Sequence, residues 1–322
     1  MKMATHDLAG SAQVTLRRKA QRRKRFPLFA YLCILPALLF AAVFLYFPSL
    51  SAIGHAFTDW NGTTTPNFIG LDNFRQIFND QRMTIAFQNA LKITVFSLLV
   101  ELTVPLAAAK MILALRGERL QHLFRVVFLL PLIVPQVVIY LLWEFIYTPD
   151  PNVGLLNGTL AALHLPGLER GWLGDPSVAL YAVMATGMGV IAVFPFVDGF
   201  GLLIYTAGLQ AIPTEVLEAA QMDGAGAFQR FLRIELPLIV GQLRLLAVLT
   251  IVASIQQYTA FLIMTDGNPA FVTSVPGLTM YHAAFNDTQM GYACAIGTLL
   301  FLVILILTVI NLRFVRPATE YS

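Results

Sequence analysis

Glu101 stands midway along an apolar run, where a carboxyl group is costly and marks a functional site by default. Its chemistry there is that of a proton relay or solute ligand, or that of a hydrogen-bonded structural group. Asp198, within Phe196-Val197-Asp198-Gly199-Phe200-Gly201, poses a similar choice between lining a cavity and fixing two helices where glycines let backbones approach. A third set, Ser254, Gln256, Gln257 and Tyr258, lies inside another apolar run. Adjacent glutamines there need hydrogen-bond partners, supplied by neighbouring helices or by a polar solute. The other reactive side chains form no centre. The histidines His6, His55, His122, His164 and His282 make no His-Glu-x-x-His pair, and no Gly-x-Ser-x-Gly occurs. No lysine follows a glycine, so the chain lacks the phosphate loop that would bind ATP. Neither a metal site nor a catalytic set is expected. Cys33 and Cys294 both sit in apolar runs, which excludes a disulfide framework.

One stretch is polar without being a simple connection. Glu218-Ala219-Ala220-Gln221-Met222-Asp223-Gly224 and the following Ile234-Glu235-Leu236-Pro237 lie between two long apolar runs. Pro213-Thr214 opens a helix with Thr214 as its cap, and Glu215 and Glu218 complement the positive end of its dipole. Gly224 ends it, because glycine takes the left-handed conformation cheaply. A second short helix, about 227–234, leads to Pro237 at the start of the next apolar run. Val216, Leu217, Ala219 and Ala220 offer an apolar surface, suited to lying at the membrane interface or to being received by another protein.

The elements that hold these residues are membrane helices. The 322 residues are 57% hydrophobic and 12% charged, against about 25% charged in soluble domains. A bilayer core takes about 20 apolar residues as helix. Six runs qualify, at about 28–50, 90–115, 124–147, 178–203, 238–264 and 292–312. The expected fold is an all-α membrane protein of six transmembrane helices, with a basic tail at 1–27, a spanning domain at 28–315 and a tail at 316–322. Seven basic residues between Arg17 and Arg25 read as an anchor at the lipid surface and not as a nucleic-acid arm.

Lysine and arginine placement sets the orientation. The N-terminal cluster, 116–125, Arg230, Arg233, Arg313 and Arg316 fall on one side. Asp59, Asp72, Asp80, Asp150, Glu169, Asp175, Asp266 and Asp287 fall on the other. Both termini and the Glu218–Pro237 stretch are therefore expected in the cytoplasm. On the opposite face, Phe74, Ile77 and Phe78 at helical spacing predict a short surface helix.

The spacing of the polar stretch is specific. Glu-Ala-Ala, three residues, glycine, nine residues, isoleucine, one residue and Leu-Pro fall at Glu218, Ala219, Ala220, Gly224, Ile234, Leu236 and Pro237. The pattern resembles the EAA coupling motif in the membrane subunits of binding-protein-dependent ABC importers. The flanks 208–213, 68–74, 284–285 and 290–293 resemble the carbohydrate-uptake branch, which includes the maltose-transporter membrane subunits. Thr265-Asp266-Gly267-Asn268-Pro269 resembles that branch's Thr-Gly-Gly-Gly-Pro loop with two glycines replaced.

The resemblance implies a type I ABC importer transmembrane domain in a bacterial or archaeal cytoplasmic membrane. In such a complex 208–237 is the coupling loop and 214–237 docks on an ATPase dimer that binds the ATP and magnesium. A second permease subunit completes the pore, and an extracytoplasmic solute-binding protein delivers a sugar or oligosaccharide. Such a path needs hydrogen-bonding groups and aromatic faces, for which Ser254, Gln256, Gln257, Tyr258, Phe196 and Phe200 are the candidates. Another solute, such as a glycerol phosphate, a polyamine or a peptide, is the alternative within the family. A secondary transporter would show internal repeats and paired broken helices, and neither is apparent.

Overall fold

The structure, a computed structural model, describes residues 28–187 and 197–314. The two tails, Phe196 and the middle of the fourth apolar run lie outside the described residues. The chain divides into two units, residues 1–51 and 52–322. Helix α1 (Leu28–Ala41) passes through a π-helical turn (Ala42–Tyr46) into α2 (Phe47–His55), which ends inside the second unit. Tyr31–His55 is long and apolar enough to cross a bilayer.

In the second unit a surface helix, α3 (Asp72–Asn79), precedes α4 (Gln81–Ala114). Ile77 of α3 is buried, Phe74 is partly buried, and Phe78 turns outward. Asp80 caps α4 by accepting a hydrogen bond from the Arg82 amide at 2.7 Å. Helix α4 has 34 residues, about 51 Å at 1.5 Å per residue, against a hydrocarbon core of about 30 Å. Its ends therefore extend beyond the hydrocarbon. It is the central strut, with α9 (Gly199–Gln210) and α13 (Val240–Gln256) packed along it.

The third apolar run, expected as one span, is bent. Helix α5 (Glu118–Leu129) and a 3₁₀ turn (Leu130–Ile133) meet α6 (Gln136–Ile146) at 91°. Pro135 has no N–H to donate, and it holds Val134 extended at ψ 128. Helix α7 (Leu155–Ala162) lies in the next loop, and α8 (Ala179–Ala185) and α9 stand on either side of residues 188–196.

Helix α10 (Thr214–Met222), α11 (Ala227–Arg230), a π-helical turn (Phe231–Glu235) and α12 (Leu236–Leu238) form the polar stretch before α13. The fifth run is also interrupted: α13 stops at Gln256, Gln257 is extended, and α14 (Thr259–Met264) resumes. Helix α15 (Pro276–Phe285) packs beside α16 (Met290–Phe314), the last span. Tyr31–His55, Gln81–Ala114, Val240–Met264 and Met290–Phe314 meet the length and apolarity of a span, and the α5–α6 pair makes a bent one. A second bent pair joins α9 to α10 at 68°. Glu215 and Glu218 are exposed on α10, so α10 belongs with the polar stretch rather than with a span. Apart from an isolated bridge between Thr58 and Phe68, the described residues form helices and turns.

Candidate functional site

The polar stretch folds around the helical period. Glu215, Glu218, Ala219 and Met222 share one face of α10, and all four are exposed. Leu217 and Ala220 lie on the opposite face: Leu217 packs on a core that includes Leu106, Ala109 and Ile112 of α4 and Leu209 of α9, and Ala220 is buried. The expected surface of Val216, Leu217, Ala219 and Ala220 is therefore split: Val216 and Ala219 are presented, whereas Leu217 and Ala220 anchor the helix. Thr214 does not act as the cap. Pro213 holds that place without a side-chain bond, and Val216 N donates to Pro213 O at 3.2 Å.

Gly224 ends α10 at φ +77. Its amide donates to Gln221 O at 3.0 Å, and the Ala225 amide donates to Ala220 O at 2.9 Å. These are the paired bonds of a Schellman cap. Beyond it Phe228 projects into solvent, with 75% of its surface open. Ile234 and Leu236 are half-buried and Pro237 is exposed. The loop thus presents the carboxylates Glu215 and Glu218 and the apolar side chains Met222 and Phe228 to solvent.

The sequence reading missed Glu235. Its side chain is 3% exposed and pairs with Lys110 Nζ of α4 and, at 3.2 Å, with Arg230 Nε. Lys110 also lies 5.7 Å from the centroid of the Phe231 ring. A lone cation near the end of an apolar run was the available signal. Its partner is 125 residues away.

The path candidates are brought only partly together. Gln257 Nε2 donates to the Tyr140 hydroxyl at 2.9 Å, tying the break in the fifth run to α6. The ring of Tyr258 stacks on that of Tyr281, with centroids 5.8 Å apart. Gln256 is exposed. Ser254 is buried and donates to Thr94 of α4 at 3.0 Å, a helix-to-helix contact. Phe200 lies on α9 and is exposed, while Phe196 falls outside the described residues. Non-helical backbone at membrane depth persists only where protein or a cavity surrounds it. At the Gln256–Tyr258 break, Gly277 of α15 packs so closely that a Cβ there would stand 3.1 Å from Tyr258 Cβ.

Asp198 is the N-cap of α9, accepting from Phe200 N at 3.1 Å and Gly201 N at 2.6 Å. Glu101 of α4 is buried against the same turn, and Tyr205 Oη donates to the Glu101 carbonyl at 3.3 Å. Glu101 Oε1 finds no hydrogen-bond partner among the described residues. At the end of the bundle rich in aspartate, Asp59 accepts from the side-chain and backbone nitrogens of Asn67 at 3.0 and 2.7 Å, which hold its carboxyl below the usual aspartate range. His282 bridges Arg82 at 3.2 Å and Asp266 at 2.8 Å. Asp266 stands where the resemblance has glycine and takes φ +49, a conformation aspartate tolerates better than most residues.

The family described as binding-protein-dependent transport system inner membrane component matches residues 102–320. The probable ABC transporter permease protein YurN of Bacillus subtilis is 31% identical over 291 residues, 90% of this chain and 97% of that protein. The diacetylchitobiose uptake system permease protein NgcF of Streptomyces coelicolor is 32% identical over 274 residues, 82% of this chain and 75% of that one. In three dimensions the fold is that of a chain from a bacterial ABC transporter involved in the import of the acidic polysaccharide alginate. The TM-score is 0.77 at 22% identity, covering 90% of this chain and 96% of that one.

Proposed function

Because the chain belongs to the family of binding-protein-dependent transport system inner membrane components, we propose that it is one of two membrane subunits of an importer for a sugar or oligosaccharide. Residues 214–237 form the seat for a separate ATPase, which carries the ATP and magnesium. A solute-binding protein delivers the cargo at the opposite face, and both termini lie with the seat in the cytoplasm.

The observation that carries this reading is the outward face of α10, where Glu218, Ala219 and Met222 stand exposed on a helix whose inner face packs Leu217 on the core and buries Ala220. Exposed apolar side chains grouped with carboxylates on a rigid support suit capture by a basic, grooved partner. The sugar class is supported by the diacetylchitobiose relative and by the amide and phenol groups at the Gln256–Tyr258 break. Glu218→Lys tests the seat. The variant should still insert in the membrane but should lose both the co-purifying ATPase and solute uptake. If the ATPase stays bound and uptake continues, the seat lies elsewhere.

A further inference from the structure

We propose that Lys110, Glu235 and Arg230 form the joint through which the 214–237 loop moves α4, with Glu235 as a positioning residue. This rests on the reading of that loop as the ATPase seat. The Glu235 side chain is 3% exposed, and the carboxylate is held between Lys110 of α4 and Arg230 of the loop. Burying a carboxylate is costly unless charged partners surround it, so this site holds together only while both elements keep their places.

Lys110 grips both ends of a π-helical turn. It pairs with Glu235, the last residue of the turn, and lies 5.7 Å from the ring centroid of Phe231, the first. A π turn is wider than the α-helix around it and frequently marks a functional site. It lies between α10 and α13, on the route by which a displacement of α10 reaches the next span. Left ungripped, it would flex and absorb a displacement arriving from α10. The apolar packing behind α10, where Leu217 joins the core shared by α4 and α9 and Ala220 is buried, is non-directional and tolerates sliding. The ion pairs are directional and fix register, the best-attested use of buried charge. Together they make the loop and α4 move as one piece, and α4 carries Ser97, Glu101 and Thr94 in its buried middle.

The test uses the whole transporter, purified through a tag on this chain with Cys33 and Cys294 replaced. Nitroxide labels at Gln221, exposed but off the outward face of α10, or at exposed Met111 are each paired with one at exposed Val309 of α16, and distances are measured before and after trapping with magnesium, ATP and vanadate. In the parent both distances shift. In Lys110→Met the Gln221 shift persists while the Met111 shift is lost, and Lys110→Arg restores it. Glu235→Gln, which keeps the side-chain shape, shows the same split even if Lys110→Met fails to assemble. A Met111 shift retained in Glu235→Gln overturns the joint. A parent whose Gln221 distance does not respond to trapping overturns the seat itself, so the two failures are told apart. A merely structural role would weaken assembly and leave the two shifts equal.

Discussion

Gly201 lies against Glu101 so closely that a Cβ added to it would stand 2.2 Å from Glu101 Oε1 and 3.0 Å from Asp198 Oδ2. The glycine is therefore the condition for bringing a buried carboxyl of α4 onto the capped first turn of α9. Overpacking a close contact costs about 1–3 kcal/mol. Gly201→Ala should lower the melting temperature of the purified protein in detergent. Gly241→Ala, on a helix with nothing within 4 Å of the new methyl, should leave it unchanged or slightly raised. Equal melts for the two variants would refute the contact.

Gly224 calls for graded changes. Its φ of +77 costs an L-residue about 1–2 kcal/mol, and no atom lies within 4 Å of a new Cβ. Gly224→Ala should thus keep the ATPase bound and only slow coupled uptake. Gly224→Pro cannot take that φ and loses the amide that donates to Gln221 O. It should release the ATPase altogether. Pull-down of the ATPase with each variant decides, and retention by the proline variant counts against the Schellman cap as part of the seat.

The Gln257–Tyr140 hydrogen bond, 2.9 Å long, spans the break in the fifth run. A hydrogen bond contributes about 0.5–1.5 kcal/mol net, so Gln257→Ala should weaken the apparent affinity for cargo roughly 2- to 10-fold. The measurement is ATP hydrolysis stimulated by the solute-binding protein loaded from a panel of oligosaccharides. Unchanged concentration dependence would remove Gln257 from the path and leave it a packing residue.

Asn89 of α4 donates from Nδ2 to Val272 O at 2.8 Å and Ser274 O at 2.9 Å. It staples a loop in which Asp266, Ala270 and Phe271 all have positive φ. Each buried carbonyl left unpaired costs about 1–3 kcal/mol. Asn89→Asp removes the donor and also faces two carbonyl oxygens with a carboxylate, so it should destabilise more than Asn89→Ala. Thermal unfolding in detergent ranks them, and the reverse order would show that the staple is not the source of the effect.

Much of the architecture was legible because its causes are local. A run of apolar residues long enough for a bilayer must be a helix, since hydrocarbon offers no other partner for backbone polar groups. The end of α10 at Gly224 was legible for the same kind of reason: a glycine after a helical stretch supplies the positive φ that a Schellman cap needs. The third run read as one span, and its 91° bend at Pro135 was not foreseen, because a proline breaks the ladder without fixing the direction taken afterwards. The cap of α10 misled, since Thr214 and Pro213 both suit a helix start and one residue of offset turns the threonine away from capping.

What the sequence determined by itself was the class of the protein, its apolar runs and the spacing of the 218–237 stretch, all set by side-chain chemistry within a few turns of chain. The tertiary structure alone decided which members of that stretch face outward and which anchor it. It alone joined Glu235 to Lys110 across 125 residues, seated Glu101 against Gly201, and linked Gln257 to Tyr140. Those pairings depend on where separate helices come to lie, and a buried charge or amide names its need for a partner without naming the partner.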